Sequence, residues 1–141
     1  MRVHSEQLTI RTTQPIQLLD VTETLRAAVA RSKVTTGIAV VATHHTTTAI
    51  RVNESCERLT RDLLALFERL APASLPYAHN RGTIDGRGNA QSHLLAWLMG
   101  ASENLVVREG TLELGRWQAC FFVELDGPRP ERHYTVTLMG E

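Results

Sequence analysis

Cysteine is scarce in this chain: Cys56 and Cys120 stand alone among 141 residues, with no C-x-x-C spacing. That pattern argues against a disulfide framework and for a reducing compartment, with both thiols reduced and one or both buried. Charge of one sign is also missing. Lys plus Arg number 15 and Asp plus Glu number 15, so the formal net charge is zero. With no long basic run to neutralise a phosphate backbone, nucleic acid is not expected as a partner. No apolar stretch reaches the length that spans a bilayer, and Met1–Gln7 has no apolar core of the kind a secretory signal needs. A cytoplasmic protein without membrane association is expected. Internal repeats and low-complexity segments are absent. Zero net charge offers little colloidal repulsion, so exposed apolar surface is expected to be covered by self-association into a homo-oligomer.

At 141 residues the chain has the size of one domain with a substantial core. Alternation around Leu8 and Ile10 predicts a half-buried strand, which Pro15 interrupts. Val21, Leu25, Ala28 and Val29 share one helical face, with Asp20 and Glu23 spaced as a capping arrangement, and this helix ends near Ser32. A buried strand follows over 38–43. Leu59, Leu63, Leu66, Phe67 and Leu70 recur every three or four residues and predict an amphipathic helix over 55–71, ended by Pro72. The connection 73–88, with Pro76, Gly82, Gly86 and Gly88, is long for a compact domain, and such loops are usually functional or mobile. A third helix over 89–99 stops at Gly100. Strands are predicted at 104–108, around Leu112, at 117–125 and at 132–139. In the third of these, Trp117, Ala119, Phe121, Val123 and Leu125 would share one face, and Gln118, Cys120, Phe122 and Glu124 the other. The fold class is therefore α+β: a single domain over 1–141, with a mostly antiparallel sheet packed against two to three helices.

The run His44-His45-Thr46-Thr47-Thr48-Ala49-Ile50-Arg51-Val52-Asn53-Glu54 crowds chemistry-bearing groups directly after the buried strand. A scaffold strand that delivers polar groups to a loop is a common way to build a site. Among six histidines, His45, His79 and His93 come from three separate loop or helix-start regions. A fold that gathers them would assemble a three-histidine metal site with an open position; each also has a plain structural alternative as a capping, packing or solvated residue. His44, next to His45, is expected to point the opposite way. Thr46 and Thr47 offer hydroxyls and N–H groups to phosphate oxygens, although threonine runs are also ordinary strand. Asn53 and Glu54 read as the start of the second helix, as cap and dipole partner, about as readily as ligand groups.

The loop Ile84-Asp85-Gly86-Arg87-Gly88-Asn89-Ala90 places Arg87 and Asn89 at a helix entrance suited to an anion, but it is neither a Walker loop nor a dinucleotide fingerprint. Glu124 and Asp126 end a strand, with Arg129 and Arg132 close behind. Carboxylates there suit general acid or base work or Mg²⁺, and equally suit surface ion pairs. No Ser-His-Asp order or nucleophile elbow stands out, and mid-strand Cys120 reads as core.

Together these segments resemble the YjbQ family, whose members are often described as secondary thiamine-phosphate synthases. The resemblance rests on His45-Thr46-Thr47-Thr48-Ala49-Ile50 with Asn53-Glu54, Tyr77-Ala78-His79, Gly88-Asn89-Ala90 with His93, Ser102 through Gly110 to Gly115-Arg116-Trp117-Gln118, and Glu124-Leu125-Asp126-Gly127-Pro128-Arg129. Thr48 replaces a more usual alanine, and Pro130-Glu131 sets Arg132 apart from Arg129, so of the two only Arg129 is carried forward as a ligand-binding residue. The resemblance implies a small α+β protein, usually a homotrimer, with the histidines near a cavity that holds a metal ion or a phosphate-like anion. The activity it implies couples a pyrimidine methyl diphosphate to a thiazole phosphate, with release of pyrophosphate.

Catalytic roles would then fall to His45, Glu124 and Asp126. The phosphorylated metabolite would bind at Thr46, Thr47, Asn53, Arg87, Asn89 and Arg129. A divalent metal, zinc-like or magnesium, would sit on His45, His79 and His93. Three histidines favour a transition metal, whereas diphosphate enzymes usually hold Mg²⁺ on carboxylates. Two other readings fit the same residues: a metal-dependent hydrolase with Glu124 or Glu54 as base, and a non-catalytic trimer that binds a small anionic metabolite.

Overall fold

The structure, a computed structural model, describes residues 1–141. Its eight strands are β1 (Arg2–Ile10), β2 (Gln17–Asp20), β3 (Gly37–Thr43), β4 (Thr48–Glu54), β5 (Ser102–Arg108), β6 (Thr111–Leu112), β7 (Gln118–Glu124) and β8 (Arg132–Gly140). Three helices complete it: α1 (Thr22–Ser32), α2 (Glu57–Leu70) and α3 (Ala90–Met99). The strands form two antiparallel sheets, one ordered β1-β8-β3-β5-β6 and the other β2-β7-β4. The expected α+β domain with three helices is what forms. No helix is long and apolar enough to cross a membrane.

Strand β7 is buried on both faces, and its alternation divides the core in two. Cys120 and Phe122 join Leu25, Val29, Val41, Ile50, Tyr134, Val136 and Leu138 in the larger cluster, shared by α1 and both sheets. Ala119, Phe121, Val123 and Leu125 face the other way, against Phe67 and Leu95 of α2 and α3. The predicted faces of this strand therefore hold, except at Trp117. That residue precedes the strand and is 65% exposed, with the Arg116 guanidinium 4.8 Å from its ring centroid. Cys56 and Cys120 are free thiols, and burial pushes the Cys120 thiol up to about 12, which keeps it protonated and inert.

Two elements depart from the periodicity reading. Residues 48–54 form β4 and residues 17–20 form β2, both paired to β7. The short apolar piece after Pro15 carries too little alternation to announce a strand, and in β4 only Ile50 to Asn53 alternates, shortly before the α2 pattern begins. Asn53 and Glu54 are consequently not a helix start. They are the exposed end of β4, opposite Ala119 and Gln118, and α2 begins only after Cys56. Asp20 likewise makes no capping box: its carboxylate accepts the Thr22 N–H at 2.9 Å, while Glu23 pairs with Arg26.

The two sheets are tied where the chain crosses between them. Glu124, at the end of β7, has the inward parity of Cys120 and Phe122 and is 0% exposed; Arg132, at the start of β8, has the inward parity of Tyr134 and is 4% exposed. They form a bidentate pair, Nε donating to Oε2 at 2.8 Å and Nη2 to Oε1 at 2.6 Å. Thr12, between β1 and β2, donates its hydroxyl to Oε2 at 2.9 Å, and the Asp126 N–H donates to Oε1 at 2.9 Å. Arg132 also donates to the hydroxyl of Thr47, between β3 and β4, at 2.9 Å. Gly127 is required beside this knot, because a Cβ there would collide with the Gln14 carbonyl.

Arg132→Ala leaves Glu124 as an unpaired buried charge and is expected to destabilise the protein by about 3–5 kcal/mol in urea unfolding. Burial pushes the Glu124 carboxyl up, but the Arg132, Asp126 and Thr12 hydrogen bonds outweigh it and hold its pKa below the ordinary value. The stabilisation is therefore fully present above the unfolded carboxyl pKa of about 4.3 and lost as pH falls through the lower folded value. Unfolding followed from pH 7 to pH 2 should show this acid loss in the wild type, and a weaker one in Glu124→Gln.

Candidate functional site

His45 sits immediately after β3, in the crossing to β4, and half of its fate is decided by the sheet. The last pair of the β3–β8 ladder is Thr43 with Tyr134. One residue nearer the start of β8, where no β3 residue is paired opposite, the His133 N–H donates instead to His45 Nε2 at 2.9 Å. The two rings lie stacked, with centroids 6.3 Å apart. His44 turns away, as expected from strand alternation, to the hydroxyl of Thr135 at 3.1 Å. Thr46 exposes its hydroxyl, whereas the Thr47 hydroxyl is buried on Arg132 and is closed to a ligand. The Thr46 and Thr47 N–H groups donate to no atom of the chain.

A cleft of about 450 Å³ opens beside this turn, lined by His45, Thr46, Thr48, His93, Trp97 and Gly100 among others. His93 reaches it from the second turn-start of α3. The helix is aimed by three bonds: Ser92 donates to the Leu125 carbonyl at 2.6 Å, Asn80 accepts the Ala90 N–H at 3.0 Å, and Asn89 donates to Asp126 at 2.9 Å. The Asn80 bond also places its neighbour His79 against His93, ring centroids 4.6 Å apart and edge to face. His93 thus borders both the His45 cleft and a second one of about 430 Å³ that contains His79, Arg81, Asp85 and Asn89.

The three histidines do not form a metal centre within one chain. No group of three or more His, Cys, Asp or Glu side chains is placed to hold a metal ion, and the His45 lone pair that would bind one already accepts the His133 N–H. His79 and His93 remain a pair. The donors present in one chain do not fit the expected three-histidine ion.

The acidic candidates are likewise engaged. Glu124 accepts four hydrogen bonds in a sealed position and has no lone pair left for a catalytic proton, so its role is structural and not catalytic. Asp126 holds Arg87, Asn89 and Arg129 on one carboxylate oxygen, at 3.2, 2.9 and 2.9 Å. Burial raises its pKa, yet the Asn89 and Arg129 hydrogen bonds and the Arg87 charge bring it below the ordinary carboxyl value. It is a charged anchor for two arginines and not an acid. Asn89 is buried on it and positions rather than presents. Arg87 and Arg129 keep partly exposed guanidiniums, two positive charges against one carboxylate. Asn53 lies five strand positions beyond Thr48, on the order of 17 Å away, and leaves the site.

Sequence reasoning missed His133, whose main chain fixes His45, and the buried role of Arg132. Arg132 occupies a core-facing parity in a strand whose next inward residues are Tyr134, Val136 and Leu138, and a charge there demands a buried partner.

Fold and site define a class: a two-sheet antiparallel α+β domain in which a sheet crossing carries His45, and α3 with the loop before it carries His93 and His79, to the borders of its clefts. The chain belongs to the family described as UPF0047 protein YjbQ-like, whose model matches residues 6–141. It is 39% identical to a UPF0047 protein of Methanothermobacter thermautotrophicus over 141 residues, covering 100% of this chain and 95% of that one. Among solved structures it is similar to a YbjQ-like protein of unknown function from Sulfolobus solfataricus P2, with TM-score 0.94, 36% identity and 99% of each chain covered. A hypothetical protein from Aeropyrum pernix K1 gives TM-score 0.89 at 33% identity, covering 98% of this chain and 99% of that one.

His45 is held neutral. Burial lowers its pKa, as do the charges of Arg132, His133 and Arg129, against an opposing pull from Glu124. An NMR titration is expected to give a His45 midpoint below the ordinary 6.5. Its folded-state stabilisation is present above 6.5 and lost as pH falls through that lower midpoint. A midpoint at or above the ordinary value would contradict this electrostatic picture.

Proposed function

We propose that the cleft beside His45 binds a small phosphorylated metabolite, and that the protein acts as a thiamine-phosphate-synthase-like transferase. The observation that carries this reading is a division of labour: Glu124 and Asp126 are engaged while hydrogen-bond donors beside them lack partners. The Thr46 and Thr47 amides have no partner in the chain, and Arg129 and Arg87 stand on Asp126 with exposed faces. Such a surface favours anionic oxygen and offers little to a water that must be deprotonated.

The coupling reaction asks for this distribution. The thiazole nitrogen lone pair attacks the methylene of the pyrimidine methyl diphosphate, a C–N bond forms, and the C–O bond breaks with its electron pair leaving on pyrophosphate. The nucleophile carries no proton to remove, so no general base is needed. The charge that grows is on the departing diphosphate, where N–H donors and guanidiniums lower the barrier. A hydrolase is the weaker reading on the same grounds. It requires a base to activate water, and Glu124 is sealed while Glu54 lies exposed at the far end of β4.

The homotrimer implied by the family resemblance belongs to this proposal. Leu94, Trp97 and Leu98 form an exposed apolar stripe on α3 next to the cleft, with Trp97 88% exposed, and supply a surface for chain–chain contact. Light scattering on the purified protein is expected to give three times the chain mass; a monomer would overturn this part. Turnover is expected as pyrophosphate release from the two substrates. Arg129→Met should lower kcat/KM about 10- to 100-fold, with the urea midpoint little changed. No release by the wild type above a reagent blank, or full activity in that variant, would remove the transferase reading.

A further inference from the structure

His45 is the one imidazole whose tautomer the backbone dictates. A ring nitrogen that accepts an N–H must carry a lone pair, so the 2.9 Å bond from the His133 N–H makes Nε2 the acceptor and places the ring proton on Nδ1. The alternative ring orientation would put a carbon against that N–H and leave it unpaired, at a strand start where the β3 ladder has already ended. The Nδ1 atom makes no hydrogen bond within the chain and is not among its buried unpaired polar atoms, so it is reachable from outside. The next two residues, Thr46 and Thr47, contribute backbone N–H groups that are also without partners.

We infer that His45 acts in its Nδ1–H form as a hydrogen-bond donor, in series with the Thr46 and Thr47 amides, and takes an oxyanion of the ligand and not a metal ion. The assignment rests on the phosphorylated-metabolite reading above and specifies how that ligand is held. Metal binding through Nε2 would require the His133 N–H to be abandoned. Binding through Nδ1 with Nε2 still accepting would require the ring to lose its only remaining proton. His133 is then a positioning residue: it acts through its main chain, and its side chain, bonded to Gln7 and Thr9 at 3.2 Å each, steadies the start of β8.

Two measurements on the full-length protein test this. Long-range nitrogen-15 correlation spectra should show the Nδ1–H pattern for His45, and zinc chloride should leave its resonances in place. Titration with inorganic pyrophosphate compares His45→Asn, whose amide nitrogen falls near the position of Nδ1, with His45→Gln and His45→Ala. The Asn variant is expected to bind within about threefold of wild type, and the other two at least about tenfold more weakly, the loss of one hydrogen bond to a charged acceptor. Amide spectra of each variant confirm the fold. If wild type does not bind pyrophosphate, the anion reading itself fails along with the ligand half of this inference. If wild type binds but His45 shows the Nε2–H pattern, shifts with zinc, or loses as much affinity as Asn as it does as Ala, the donor assignment alone is overturned.

Discussion

The buried pair of Glu124 and Arg132 is the constraint on which the rest of this structure depends. Three crossings between the sheets meet at it: Thr12 from β1 to β2, Thr47 from β3 to β4, and the Asp126–Arg132 return from β7 to β8. Ion pairs in apolar surroundings contribute little net stability over well-packed hydrophobic residues, since desolvation offsets the attraction. What this pair supplies is geometry. A carboxylate that accepts four hydrogen bonds and a guanidinium that donates three allow one arrangement of the crossings and penalise others by leaving a charge unpaired. The two halves of the sandwich are thereby held at the edge where the cleft opens.

From that knot the site follows by short steps. Thr47 pinned on Arg132 fixes the turn that carries His45 and Thr46, and the first residue of β8 after Arg132 supplies the amide that orients His45. On the other side, Asp126 gathers Arg87, Asn89 and Arg129, and Ser92 fastens α3 to the end of β7, which brings His93 and the His79 beside it to the same region. Glu124 and Asp126 are consumed in building the scaffold, and donors beside them lack partners. That division arises although the chain as a whole is electrically neutral, because these two carboxylates accept bonds from the framework while Arg87, Arg129 and Arg132 converge on them. It is the physical content of the proposal that the ligand is an anion.

Much of the fold was legible from periodicity. Leu25, Ala28 and Val29 announced α1, Leu63 and Phe67 announced α2, and the alternation from Ala119 to Leu125 marked β7 with its two faces. Legibility failed at β2 and β4, where four residues, or a four-residue alternation shortly before the α2 pattern, give little period, and where pairing to β7 supplies the stability that local propensity does not. For the site, the neighbourhood of His45 and the Asp126–Arg129 turn stood out as residues. Thr46, Arg87, Arg129 and the histidines are legible as chemistry-bearing residue types in the sequence. Their roles are not, because a carboxylate reads alike whether it is sealed or open, and an imidazole whether it accepts or donates.

The sequence by itself determined the class of fold, the family, the two amphipathic helices and the short segments from which the site is drawn, since each is encoded in neighbours along the chain. Only the tertiary structure decided that Glu124 belongs to Arg132, that Asn53 lies a strand's length from His45, that His79 touches His93, and that His133 holds the His45 ring. Those outcomes depend on which groups meet across strands distant in sequence, and on which lone pairs and protons remain once the backbone has been satisfied.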